Sequence, residues 1–438
     1  MKVMKFGGTS VGSALRMKSV AELVSGRGRN IIVLSAMSGT TNSLVEISNY
    51  MYKKNPAGAA EVINALQSKY TSVIAELFDT EEYREKATDV VDRYFDFLRN
   101  INKPAFTVFD EKEVLACGEQ MSTGLMDLYL KSRGVKVVLL PALEFMRMDK
   151  DGEPDLDYIC KNLRPMLDAN PDADLFLTQG FICRNAYGEV DNLQRGGSDY
   201  TASLIGAAID ADEIEIWTDI DGMHNNDPRF VENTSPVGQL HFEEAAELAY
   251  FGAKILHPTC VLPAKLKNIP VRLLNTMAPD APGTVIYNAK PSREIKAVAA
   301  KDNITAIKIK SGRMLLAYGF LRKVFEIFES YKTPIDMVVT SEVGVSVTID
   351  NERSLDAIVD ELKKYGTVTI DRDMVIICVV GDLEWQNRGF EADVVNALKD
   401  IPVRMISYGG SNYNISLLVK KDDKVKALNM LSKGLFDK

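Results

Sequence analysis

Lys5-Phe6-Gly7-Gly8-Thr9-Ser10 joins a short apolar run (Met1, Val3, Met4) to a helical pattern that starts near Ser13. The order is strand, tight glycine turn, helix N-terminus. Gly7 and Gly8 carry no Cβ, so the backbone here can approach a ligand closely. The helix end behind them offers unpaired N–H groups and a positive dipole. Lys5 adds a positive charge before the turn. Two readings fit these residues: a phosphate cradle and an ordinary glycine-rich turn. A P-loop is excluded, because Ser13 and Ala14 follow Gly12 where lysine and a hydroxyl residue are required. A dinucleotide fingerprint is excluded too, since no G-x-G-x-x-G occurs here.

The chain around this turn has 438 residues, 46% hydrophobic and 26% charged, with a formal net charge of -9. That is an ordinary globular composition, long enough for about three domains. The negative charge and the lack of a Lys/Arg block argue against nucleic acid as a partner. No apolar run approaches the ~18 residues of a membrane span. Lys2 and Lys5 lead into glycine and not into an apolar core, so a secretory leader is not expected. Cys117, Cys160, Cys183, Cys260 and Cys378 are scattered, with no C-x-x-C pair. Reduced thiols, a cytoplasmic location and no zinc or other protein-built metal site are expected.

Working outward, Asn30 to Leu34 is a continuous apolar run, as for a strand buried on both faces. It ends in the small-residue loop Ser35 to Asn42, where α/β sheets place ligands. Leu44 to Asn100 is helical in pattern, and Glu111 to Arg133 forms another helix. Strands follow at Val135 to Leu140 and Asp174 to Thr178, then a hairpin within Cys183 to Leu193. Arg195-Gly196-Gly197-Ser198-Asp199 opens an alanine-rich helix. Glu213 to Trp217 is a strand ending in Thr218-Asp219. This alternation specifies an α/β domain with a mainly parallel sheet. After a linker at Lys290 to Glu294 the order becomes βαββαβ, then repeats and runs out of chain before its last strand. The apolar stretch Ile295 to Ala299 can supply that strand. The expected domains are 1–290, a first small module at 301–372, and a second at 295–300 plus 373–438.

Four loops at strand ends then share a chemistry. Lys5 and the glycine N–H groups suit phosphate oxygens, and aspartates such as Asp199 and Asp219 suit Mg²⁺. Arg195 suits a planar carboxylate, although a lone arginine more often forms a surface ion pair. Ser198 and Asp199 can also serve as helix caps. Glu119 is an acidic residue in an apolar helical stretch and needs a cationic partner, from the protein or from a ligand. Asp227-Pro228-Arg229 reads as a turn and His224 as a polar loop residue.

Lys5 to Val11, Arg195 to Ala202, Thr218-Asp219 with Asp227-Pro228-Arg229, and Phe251 to Pro258 together resemble the aspartokinases, members of the amino-acid kinases. The resemblance spans Lys5 to Phe436. It implies an amino-acid kinase fold, with a parallel-rich central sheet flanked by helices, followed by two ferredoxin-like ACT modules. It also implies transfer of phosphate from MgATP to the side-chain carboxylate of L-aspartate, and pairing of two copies through the ACT modules.

By the motif match, Lys5 and Asp199 are the catalytic residues. Lys5, Phe6, Gly7, Gly8, Thr218, Asp219, His224, Arg229, Lys254 and Ile255 line the ATP site. Ser35, Thr41, Glu119, Arg195, Gly196, Gly197 and Ser198 hold aspartate. Met314, Ala317, Gly319, Phe320, Leu321, Asp336, Thr340 and Ser341 match the effector site of the lysine-sensitive branch, so L-lysine is the expected inhibitor. The sequence departs from the pattern at His224, where many members have tyrosine, at Gln194, and at Ala317, which replaces a serine. A kinase acting on another acidic amino acid, and a silent ACT-type sensor, are the alternatives.

Overall fold

The computed structural model describes residues 1–101, 105–193, 196–252, 258–290, 292–311 and 318–437. The chain divides into two compact units, Met1–Met223 with Ile255–Ala289, and His224–Lys254 with Lys290–Lys438.

The first unit begins β1 (Lys2–Phe6), α1 (Ala14–Val24), β2 (Asn30–Leu34), α2 (Thr40–Tyr52), α3 (Pro56–Leu77), α4 (Glu81–Asn100) and α5 (Val108–Ser132). The helical stretch after Leu44 is thus three helices, broken at Asn55-Pro56 and Thr80. Asn55 caps α3 through its side chain, with Pro56 where a missing N–H costs nothing. Next come β3 (Val137–Leu140), α6 (Ala142–Phe145), α7 (Leu156–Asp168), β4 (Leu175–Gln179), the hairpin β5 (Ile182–Arg184) and β6 (Val190–Asn192), α8 (Gly197–Ile209) and β7 (Glu213–Thr218). After β8 (Gln239–His241) and α9 (Phe242–Tyr250), which belong to the second unit, α10 (Pro258–Lys267), β9 (Val271–Asn275) and β10 (Thr284–Tyr287) complete it.

Within the first unit the strands lie in the order β3-β4-β2-β1-β7-β9-β10. Neighbours from β3 to β9 are parallel, and β10 is antiparallel to β9. Every residue of β2 and β4 is buried, as strands covered on both faces require. One core joins Phe6, Leu34 and Trp217 to the inner faces of α1 to α5. The carboxyl ends of β4, β2, β1 and β7 therefore open along one edge of the sheet, where the candidate site residues are expected.

In the second unit a six-stranded sheet runs β12-β13-β11-β14-β16-β15. Its members are β11 (Ile295–Lys310), β12 (Val338–Ser341), β13 (Gly344–Ile349), β14 (Thr367–Gly381), β15 (Met405–Ser407) and β16 (Asn414–Lys420). The helices α11 (Phe320–Ser330), α12 (Leu355–Leu362), α13 (Phe390–Ala397) and α14 (Lys424–Leu435) pack against it. β11 and β14 are single long antiparallel strands that pair from Ile295 with Gly381 to Lys310 with Thr367. One core gathers on the Ile307–Ile309 half of β11 with α11 and α12, and the other on Val298 and β14 with α13 and α14. The stretch Ile295 to Ala299 thus lies beside Cys378 to Gly381, across the sheet from the module that follows it in sequence.

Candidate functional site

The turn after β1 is tied to its neighbours by backbone bonds. Ser35 N–H donates to Phe6 O at 3.1 Å, and Ser38 N–H to Gly8 O at 3.1 Å. Gly7 N–H reaches Trp217 O at 3.4 Å, and the Ser10 and Thr276 hydroxyls are 2.8 Å apart. A Cβ on Gly8 would stand 2.8 Å from Ala36 O, closer than two such atoms approach, so glycine is required there. Phe6 is buried and stacks on Trp217 with centroids 5.7 Å apart, so it supports the turn from below.

Lys5 Nζ lies 2.7 Å from Asp199 Oδ1, with both side chains largely buried. Asp199 stands in the first turn of α8, whose N-terminus is set by Gly196 at φ 76°. Gly197 also allows close packing, because a Cβ there would lie 2.5 Å from the Phe181 ring. The next residue, Ser198, accepts a hydrogen bond from Ser35 Oγ at 2.9 Å, which joins the loop after β2 to the start of α8.

Glu119 projects from the middle of α5. One carboxyl oxygen accepts from Ala36 N–H at 3.2 Å, and the other is buried with no partner among the described residues. Burial pushes its carboxyl up to about 8. A carboxyl held this way gains most from a cationic ligand, which would restore its ionised form.

Gly8, Ser35, Thr41, Glu119, Gly196 and Ser198 line one cavity of about 830 Å³, while Lys5 and Asp199 are not among its lining residues. Sequence reasoning missed two lysines beside it. Lys112 lines the cavity and pairs with Asp191 at 2.7 Å. Lys69, from α3, donates to Ser38 O, and burial lowers its pKa. Lys112 sits in the charge run Glu111-Lys112-Glu113, which reads as a solvated helix face, and nothing local marks Lys69.

Thr218 and Asp219 stand at the carboxyl end of β7, where Thr218 Oγ1 accepts from Ile220 N–H at 3.1 Å and Asp219 is exposed. His224 and Arg229 belong to the second unit. There a ring nitrogen of His224 is 2.9 Å from Thr234 Oγ1, and Arg229 is exposed and paired with Asp227 at 2.6 Å. Arg195, Lys254 and Ile255 lie outside the described residues, as do Met314 and Ala317 of the expected effector site.

Of the other effector positions, Gly319 caps α11 at φ 84°, Phe320 is buried in the core, and Leu321, Thr340 and Ser341 are exposed. Asp336, just before β12, has a buried side chain ion-paired with Lys301 at 2.6 Å.

The described residues contain no group of three or more His, Cys, Asp or Glu placed to hold a metal by themselves, and no helix long and apolar enough to cross a membrane. A Mg²⁺ ion commonly binds through one or two carboxylates and substrate phosphates. The Asp199 carboxylate beside Lys5 suits that mode.

Residues 1–275 match the amino acid kinase family, and residues 377–435 match the ACT domain. Aspartokinase 1, chloroplastic, of Arabidopsis thaliana is 36% identical over 99% of this chain and 80% of its own length. The lysine-sensitive aspartokinase 3 of Escherichia coli is 32% identical over 99% of both chains. The crystal structure of E. coli aspartokinase III in complex with aspartate and ADP, in the R-state, superposes with a TM-score of 0.83 at 30% identity, covering 100% of each chain. With its strand-end loops, its ACT match and this full-length likeness, the chain belongs to the aspartokinases of the amino acid kinase family.

Proposed function

We propose that the chain transfers the γ-phosphoryl group of ATP to the side-chain carboxylate of L-aspartate. The observation that carries this reading is a cavity lined by both Gly8 and Glu119. One end has the geometry of a phosphate cradle, and the other has an unsatisfied carboxyl suited to an amino acid's ammonium.

The acceptor needs no general base, since an aspartate side chain with a reference pKa of about 3.9 is already ionised. One of its oxygens forms the new bond to the γ-phosphorus as the bond to the β,γ-bridging oxygen breaks, and the electron pair leaves on ADP. The protein's task is to hold two anions together and to stabilise spreading negative charge. Lys5 supplies the charge from one side, and Gly7 and Gly8 let the backbone come close. Ser35, Thr41, Ser198 and Glu119 orient the amino acid, with Arg195 on its α-carboxylate. Asp199 is the carboxylate that would help hold a nucleotide-borne Mg²⁺, which would supply charge neutralisation at the phosphates.

Lysine is the effector in this reading, with the ammonium of the free amino acid directed at Asp336. The E. coli relative is named lysine-sensitive. Two copies pair through the second unit, where Leu321 and Phe325 stand exposed one turn apart on α11. Light scattering gives the copy number. An ADP-release assay across aspartate, glutamate and other amino acids tests the reaction. Turnover with aspartate is expected, and turnover with another amino acid but not aspartate would overturn the assignment.

A further inference from the structure

Asp336 is the centre of a small network inside the second unit. Its Oδ1 accepts from Lys301 Nζ at 2.6 Å and from the Tyr250 hydroxyl at 2.9 Å. Lys301 also reaches Asp350 at 3.0 Å, and its ammonium lies 4.6 Å from the centre of the Tyr250 ring. Asp336 Oδ2 is buried and has no hydrogen-bond partner among the described residues. Two carboxylates thus face one ammonium, and one Asp336 oxygen is left without a hydrogen-bond partner among the described residues.

Tyr250 connects this network to a different part of the sequence. It is the last residue of α9, and its ring meets Phe251 edge-on with centroids 5.0 Å apart. Gly252 follows at φ 125°, and a Cβ there would lie 2.3 Å from Ala300 O, beside Lys301. The chain at 250–252 is therefore held by backbone packing on β11, by the Tyr250 ring against Lys301 and by the Tyr250 hydroxyl. Of these, only the hydroxyl bond ends on the group an effector ammonium would touch. Lys254, assigned to the nucleotide by family likeness, is two residues further along the sequence.

We propose that Tyr250 is a positioning residue, a tie that carries effector occupancy at Asp336 to the chain at Phe251–Gly252. This rests on the lysine reading above. An effector ammonium at Asp336 draws on the same carboxylate that holds the tyrosine, so the effector and α9 become coupled through one side chain.

The test is Tyr250→Phe in the full-length protein, which removes the hydroxyl and keeps the ring. Lysine binding is measured by calorimetry, and the rate with and without saturating lysine by ADP release. The ratio of uninhibited to inhibited rate is expected to fall at least about five-fold, the lower range of allosteric couplings, while lysine still binds and the uninhibited rate stays within about two-fold. An unchanged ratio would overturn the proposal. So would loss of lysine binding, which would make Tyr250 part of the effector site, or loss of uninhibited activity, which would place it in the nucleotide site. A wild-type protein that neither binds nor responds to lysine would overturn the effector reading beneath it.

Discussion

Lys5 and Asp199 are far apart in the first unit's sequence, yet the Lys5 ammonium lies 2.7 Å from the Asp199 carboxylate in a largely buried pair. The parallel pairing of β1 with β7 and the start of α8 bring them together. The pair fixes the Lys5 side chain at the carboxyl end of β1, beside the start of α8. Lys5→Ala is expected to lower kcat by about 10²–10³ or more, the scale of losing one group that stabilises transition-state charge. Asp199→Asn should also cut kcat, by ~10² on that scale. Steady-state rates with circular dichroism as a folding control check both.

Gly8→Ala places a methyl group 2.8 Å from the carbonyl of Ala36, a backbone atom that cannot swing aside. The turn must shift away from the loop after β2. A loss of kcat/KM of at least ~10-fold is expected from misplacing the reacting groups, with a lower melting temperature. Gly410→Ala, at an exposed bend with an ordinary φ and nothing near the added methyl group, is expected to leave kcat/KM unaltered and serves as the control.

Glu119 gives a pH signature. Burial raises its pKa from 4.5 to about 8, so between those values the folded protein holds a proton that the unfolded chain has released. Stability should therefore fall as pH rises through that window. Melts of the wild type and of Glu119→Gln from pH 5 to 8 should show a shallower slope in the variant. Binding of an ammonium favours ionised Glu119, so aspartate affinity should rise with pH, by up to about ten-fold per unit below pH 8. Glu119→Gln should weaken aspartate binding and flatten that dependence, as calorimetry would read.

Asp336→Asn removes the charge that Lys301 and an effector ammonium would share. The lysine concentration for half-inhibition should rise at least ~10-fold, the scale of losing a charged hydrogen bond. Stability should fall by about 2 kcal/mol, because Lys301 keeps Asp350 as a partner. The uninhibited rate should change little. Titration of the rate with lysine, and chemical denaturation, give the two values.

Much of this was legible because the decisive signals are local. Gly7-Gly8 after an apolar run, and Gly196-Gly197-Ser198 before an alanine-rich one, each state a strand–turn–helix joint or a helix start. The buried run Asn30 to Leu34 states a strand covered on both faces. What was not legible depends on distant partners. β11 and β14 read as pairs of short strands, because Asp302-Asn303 and Asp371 to Asp373 are polar breaks. Each strand in fact runs through its break, with Asn303 and Asp373 at φ 60° and 54° and register shifts between them. α7 and α10 were not marked in the sequence, since Pro165 and Pro263 lie inside them. The Lys5–Asp199 and Tyr250–Asp336 contacts, and the open oxygen of Glu119, belong to the folded chain alone.

The most direct measurement is hydroxylamine trapping of an acyl phosphate from aspartate, ATP and Mg²⁺, with wild type and Lys5→Ala side by side. Aspartyl hydroxamate should form in proportion to ADP with the wild type and fall by at least ~10² with the variant. ADP release without hydroxamate, or equal hydroxamate from both proteins, would contradict transfer to the aspartate carboxylate at this site.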